Sequence, residues 1–203
     1  MKTLSVVTLS AVFLALCSAQ GPTLREIAAR AKGPIVKAIG TEEPSRSVES
    51  LAAGANVIAL GSVRPLKTYL SDDETLIYTD FVFTPLTLIA RGGVGSQRTL
   101  EPGETLVVKQ VGGRMEMGGI QVTVVDEHLD ALPSSESVLL FLEKIEKESK
   151  YRILGEHWGA FAVRSGRVVP LVKPADAYHA YSGMDLDRFS EEVISLRALR
   201  PVK

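Results

Sequence analysis

Three histidines, one cysteine and one tryptophan are the scarce side chains able to do chemistry in this 203-residue chain. His128, His157 and His179 stand apart from one another, so the paired histidines of an H-E-x-x-H zinc helix are absent, as is any local zinc-ligand spacing. The one base-and-carboxylate set a fold would have to gather is His157 with Asp126 or Glu156, the elements of a hydrolase assembled only in three dimensions. Gly93-Val94-Gly95-Ser96-Gln97 lacks the closing glycine of a G-x-S-x-G nucleophile elbow. Gly92-Gly93-x-Gly95 has no following Gly-Lys-Ser/Thr to cradle a phosphate. Asp72-Asp73-Glu74 and Asp185/Asp187 lack the glycine and distal glutamate of a calcium loop. No catalytic residue, metal or cofactor is expected from these patterns.

Two places suit binding better than catalysis. Gly112-Gly113 and Gly118-Gly119 flank Arg114, Met115, Glu116 and Met117. Paired glycines mark backbone pivots around a protruding hairpin. The sharper alternative is a binding edge on which accessible backbone and two exposed methionines meet a partner. His157-Trp158 lies between Gly155 and Gly159 at a bend. Trp158 is there either a core lid or an exposed anchor.

The elements that must position these residues fall into three zones after residue 19. In residues 20–45, Thr23-Leu24-Arg25-Glu26 reads as a capping box opening a short helix, and Gly40 to Pro44 as a connector; the zone is a docking arm or a linker. Residues 46–171 hold a β domain. A short capped helix at Ser47–Leu51 precedes strands over 56–70, 77–88, 105–111, 120–125, 138–142, 151–154 and 160–171, the last broken by a Ser165-Gly166 turn. Pro85 belongs at an edge or bulge, since it cannot donate to a ladder. Arg91 to Ser96 reads as a mobile loop and Glu101 to Glu104 as a turn. Ser137 to Lys150 has Glu143/Lys147 and Glu146/Lys150 at helical spacing. A strand through Leu142 followed by a charged hairpin tip is preferred, because Tyr151-Arg152-Ile153-Leu154 looks like the returning strand. Residues 172–203 carry a helix with Leu186, Phe189, Val193, Ile194 and Leu196 as its apolar stripe, ended by Pro201. The expected fold is mainly β: a small OB-like barrel of six to seven short strands, with a short N-terminal helix and a C-terminal packing helix.

Lys2, the apolar run Leu4 to Leu16 and the small residues of Cys17-Ser18-Ala19 have the order of a secretory signal peptide over residues 1–19. The run is shorter than the ~20 apolar residues a bilayer span needs, so no transmembrane span is expected after processing. The expected location is periplasmic or secreted. The alternative is a lipid anchor on Cys17, where Leu16 is bulky for such a cleavage box. Cleavage after Ala19 removes the one cysteine, leaving the fold to rest on its apolar core. With 23 Lys+Arg against 24 Asp+Glu, the basic excess usual in nucleic-acid binders is missing. The expected partner is therefore a protein or a component of the cell envelope.

Asn56-Val57-Ile58-Ala59-Leu60-Gly61-Ser62-Val63, Ile77-Tyr78-Thr79-Asp80-Phe81, the two glycine pairs, Ser137-Val138-Leu139-Leu140-Phe141-Leu142-Glu143 and Gly159-Ala160-Phe161-Ala162-Val163 resemble, in order and spacing, a family of uncharacterised bacterial exported β-barrel proteins. The likeness covers about Ser47 to Val168, and departs from the family at Ala90-Arg91-Gly92, where many members have Lys-Gly. The order of these strands also looks distantly like netrin-type OB-fold domains, whose cysteines this chain lacks after processing. The resemblance implies fold and export and carries no reaction. The expected function is an exported, non-enzymatic binding or accessory module; a hydrolase or a structural envelope protein are the alternatives.

Overall fold

The computed structural model describes residues 21–40, 44–91, 103–173 and 178–199. The signal segment, the loop after Arg91, Glu101-Pro102 and Pro201 lie outside these residues. The chain runs α1 (Leu24–Arg30), β1 (Ile35–Ile39), α2 (Val48–Gly54), β2 (Val57–Leu70), β3 (Ile77–Arg91), β4 (Leu106–Val111), β5 (Gly113–Met117), β6 (Ile120–Asp126), β7 (Ser137–Lys144), β8 (Tyr151–Ile153), β9 (Ala160–Arg164), β10 (Arg167–Pro170) and α3 (Leu186–Ala198). It is mainly β, as expected, but the described residues form ten strands in two sheets rather than six or seven in one.

The larger sheet runs β10-β9-β7-β2-β3-β4-β8, and β7 also pairs with β8. That extra pairing closes β2-β3-β4-β8-β7 into a five-stranded ring of OB type. The ring is not a clean barrel, because β7 divides one edge between two partners. Ser137–Leu140 pair with β9, while Leu142–Lys144 pair with β8. β4 and β8 run parallel and the other ring pairs antiparallel.

Closing so small a ring requires β2 and β3 to coil, and both are long, not short: 14 and 15 residues. Their register shifts three times, at Ile58/Ala59, Leu60/Gly61 and Pro65/Lys67. Such bulges bend a strand and raise its twist. At the middle shift Gly61 faces Pro85, which has no N–H to offer the ladder. A Cβ on Gly61 would lie 2.4 Å from the Thr84 carbonyl oxygen and 2.7 Å from the Phe83 ring, so only glycine permits this approach.

β7 explains its own uninterrupted apolar run by being buried on both faces. Val138, Leu140 and Leu142 point into the ring with Val57, Phe83 and Val108. Leu139 and Phe141 point the other way, into a second core with α2, α3, Phe161 and Tyr178. Asp185 caps α3 by accepting from the Asp187 and Arg188 amides. Phe189 and Val193 are buried, but Ile194 is 49% exposed and so stands outside the apolar stripe assigned to it above.

Residues 21–40 dock instead of forming a loose arm. The Thr23–Glu26 capping box is formed, and Leu24 and Ala28 of α1 pack on Ile77, Met117, Val122 and Val124. Ile35–Ile39, given no element by the sequence reading, adds β1 in parallel to β6, giving a second sheet of order β1-β6-β5. The segment Ser137 to Ile153 is a β hairpin, with Ile145 and Lys150 joined across its tip, and not a helix. No described helix is long and apolar enough to cross a membrane.

Candidate functional site

The inward face of β4 alternates Leu106, Val108 and Gln110, all buried. Gln110 is the polar member of this apolar row, and its amide is spent on one loop. Nε2 donates to the Asp130 carbonyl at 3.1 Å, and Oε1 accepts from the Leu132 amide at 3.3 Å. These bonds draw the loop after β6 across one end of the ring, where Leu129 and Leu132 enter the core at 2% and 3% exposure.

Beyond Gln110 the chain leaves the ring through Gly112 and Gly113, at φ of 114° and 145°. Thr79 Oγ1 donates to the Gly112 carbonyl at 2.7 Å. A Cβ on Gly113 would meet that hydroxyl at 2.5 Å and the Thr68 methyl at 2.8 Å, so side chains other than hydrogen do not fit. The β5–β6 hairpin, turned at Gly118-Gly119 with φ of 57° and 81°, then lies over the end of the ring.

The space between hairpin and ring is a cleft of about 400 Å³. Ligand pockets span about 300–1,000 Å³ and favour the mouths of β-barrels. Its walls are apolar at Pro65, Phe81, Val111, Val125 and Leu132, and carry hydroxyls at Thr68, Thr79, Thr123 and Ser134. Three charged residues line it: Arg114, Asp126 and Asp130. Asp130 is held by Lys173 at 2.5 Å, and Asp126 accepts from the His128 amide at 2.8 Å. Arg114 is exposed and has no hydrogen-bond or ion-pair partner among the described residues.

On the outer face of β2–β4 a second recess, of about 210 Å³, adjoins the β7–β8 tip; Tyr78, Lys109, Glu148, Arg152 and Glu156 line it. Beside it Asp80 is fully buried, accepting from Tyr69 Oη at 3.0 Å, with its two oxygens 3.0 and 3.4 Å from Lys150 Nζ. Lys150 and Lys109 both reach Glu148, at 3.4 and 3.3 Å. The tyrosine rings carry ammonium groups: Lys67 and Lys150 over Tyr69 at 4.9 and 5.0 Å, and Lys109 over Tyr78 at 4.4 Å. Burial works against the Lys150 ammonium, but its bonds to Tyr69 and Asp80 outweigh that and hold it well above the ordinary lysine value. Asp80, Glu148, Lys67, Lys109 and Lys150 each have a partner of opposite charge, and the rings are covered by the cations that would otherwise attract a ligand. The network is a clasp that fastens the hairpin tip to the ring.

Comparison with family models, curated proteins and solved structures finds no match to this chain. Function must therefore be argued from its own residues.

Of the residues singled out by sequence, Arg114 lines the main cleft and Glu116 is exposed two residues further along β5. The methionines are a correction. Met117 is 5% exposed and Met115 half-buried, both against the α1 cluster, because register with Val122 and Ile120 turns them to the helix side. Trp158 is a core residue, 8% exposed, edge-on to Tyr178 at 5.7 Å, and the anchor reading falls. His157 is 1% exposed, its ring 4.8 Å from that of His128. Asp126 and Glu156 line the second recess together, but His157 is not among its lining residues. No group of three or more His, Cys, Asp or Glu able to hold a metal occurs among the described residues. Sequence reasoning missed Thr68, Thr79, Gln110, Thr123 and Ser134. Only Gln110 had a local signal, as a polar residue at an inward position of an alternating strand.

The tyrosines set an alkaline limit to stability. Burial pushes the phenols of Tyr69, Tyr78, Tyr178 and Tyr181 upward, and Lys150 is raised as well. Unfolded tyrosine ionises near pH 10, where these native phenols keep their protons. Above that pH the unfolded state holds fewer protons, so its free energy falls relative to the native state. The melting temperature should thus be level from about pH 7 to 9 and fall progressively above about pH 10. A level profile to pH 11 would contradict this assignment.

Proposed function

We propose that this protein is an exported, non-enzymatic binding module that receives its ligand, or a segment of a protein or envelope partner, in the cleft between the β5–β6 hairpin and the open end of the ring. The signal-peptide pattern of residues 1–19 and the resemblance to exported β-barrel proteins support a periplasmic or secreted location. One observation carries the binding reading: a cleft of about 400 Å³ with apolar walls, convergent hydroxyls and a cation without a partner among the described residues. It joins apolar surface to a few oriented polar groups, the composition of a ligand pocket. The clasp around Asp80 offers less, because its groups already satisfy one another.

A neutral aromatic probe tests the cleft without presuming its natural ligand. Titration of 2-naphthamide into ¹⁵N-labelled protein spanning Gln20 to Lys203 should shift the amides of Val111 to Arg114, Thr123 to Asp126 and Leu129 to Leu132. Saturable shifts grouped in those segments support the reading. Shifts centred on Tyr69, Lys109 and Lys150 would move the site to the outer face.

A further inference from the structure

We infer that the cleft is built for an apolar acid: a molecule with an apolar body lying against Phe81, Pro65 and Leu132, and a carboxylate or similar anionic head held by Arg114. The inference rests on the cleft being the binding site and names the chemistry of what enters it. The three charges lining the cleft are not equivalent. Asp130 is matched by Lys173, and Asp126 already accepts a backbone N–H. Arg114 is the cleft's one charged group without a partner among the described residues. Its place is fixed by β5, where it stands opposite Thr123. Asp126 lies three residues further along β6, about 10 Å away at strand spacing, so an anion on Arg114 need not crowd it. Glu116 shares a face of β5 with Arg114 but is not a lining residue, so Arg114 is the charge that β5 brings to the cleft.

The physical match is specific. A planar guanidinium accepts a carboxylate through two parallel N–H···O bonds, a geometry that lysine cannot supply. The Thr123 hydroxyl on the paired strand can donate to the same head group. The rest of the cleft offers a charged ligand mainly carbon, so its remaining bulk must be apolar. A polyanion fits poorly, since Asp126 and Asp130 would meet any second negative charge.

Three probes sharing one ring system separate this inference from the broader reading: 2-naphthoate, 2-naphthamide and 2-naphthylmethylammonium, measured by calorimetry at low and high salt. In the wild-type protein 2-naphthoate should bind about tenfold more tightly than 2-naphthamide, the worth of one good charge-assisted contact. Raising the salt concentration should shrink that ratio. Arg114→Gln should bring the ratio to about one, and Arg114→Lys should restore part of it. Arg114 is exposed on a surface strand, so these variants should keep the wild-type circular dichroism and melting temperature. Equal binding of acid and amide, a preference that survives in Arg114→Gln, or tighter binding of the ammonium would overturn the apolar-acid assignment and leave the cleft intact as a site. Failure of all three probes to bind would remove both.

Discussion

Gly61→Ala should destabilise the protein by about 3 kcal/mol, more than most single-methyl additions in a core. The added carbon would stand 2.4 Å from a backbone carbonyl and 2.7 Å from the Phe83 ring. Phe83 is fully buried and Thr84 is held by β2–β3 pairing, so neither can retreat without moving the bulge that coils the ring. For a domain of this size the loss corresponds to a fall in melting temperature of about 10 °C. Gly33→Ala is the control. Nothing lies within 4 Å of its added carbon, and its effect should stay within about 0.5 kcal/mol. Urea unfolding of both variants measures the difference. A Gly61→Ala protein as stable as wild type would mean that the close approach of β2 and β3 does not constrain the ring.

Asp80→Ala should cost about 2–3 kcal/mol, because it strands Lys150 beside Tyr69 with its main counter-charge removed. The figure is below that for a fully buried pair, since the Lys150 side chain keeps 23% exposure and can turn its ammonium toward water. Lys150→Met should cost less than Asp80→Ala only if Lys67, 3.8 Å from Asp80, takes over as counter-charge. The double variant Asp80→Leu with Lys150→Met should recover much of the loss, to within about 1 kcal/mol of wild type, as buried pairs exchanged for apolar groups commonly do. Hydrogen exchange gives the local readout: in Asp80→Ala the β8 amides Tyr151 to Ile153 should lose protection before those of β2 and β7. If the double variant is no better than Asp80→Ala alone, the clasp is not an ion-pair device and its packing carries the effect.

The elements legible in the sequence were those whose pattern is local. Ser137 to Leu142 reads as a buried strand because both of its faces are apolar, and Tyr151 to Ile153 reads as its return. The capping box at Thr23 and the helix starting after Asp185 are likewise written into neighbouring residues. β1 was not legible. Its partner β6 is distant in the chain, and Val36, its most strand-like residue, is 69% exposed. Alternation placed Met115 and Met117 on one face of β5, but nothing nearby said that α1 covers that face. Trp158 beside two glycines suggested a surface bend, whereas its ring packs against Tyr178, which comes from a different part of the chain. The cleft was the least legible feature. Its hydroxyls come singly from β2, β3, β6 and the following loop, and become neighbours only once β5–β6 folds over the ring.

Val125→Trp offers the most direct measurement on the cleft as a binding site. Val125 lines the cleft and is 39% exposed, so an indole there can fill the space without entering the core. Calorimetric titration of 2-naphthamide into wild-type and Val125→Trp protein, with melting temperatures taken on the same samples, should show binding in the first and none in the second at equal stability. Unchanged affinity in Val125→Trp would contradict the account, because a ligand indifferent to a filled cleft is bound elsewhere.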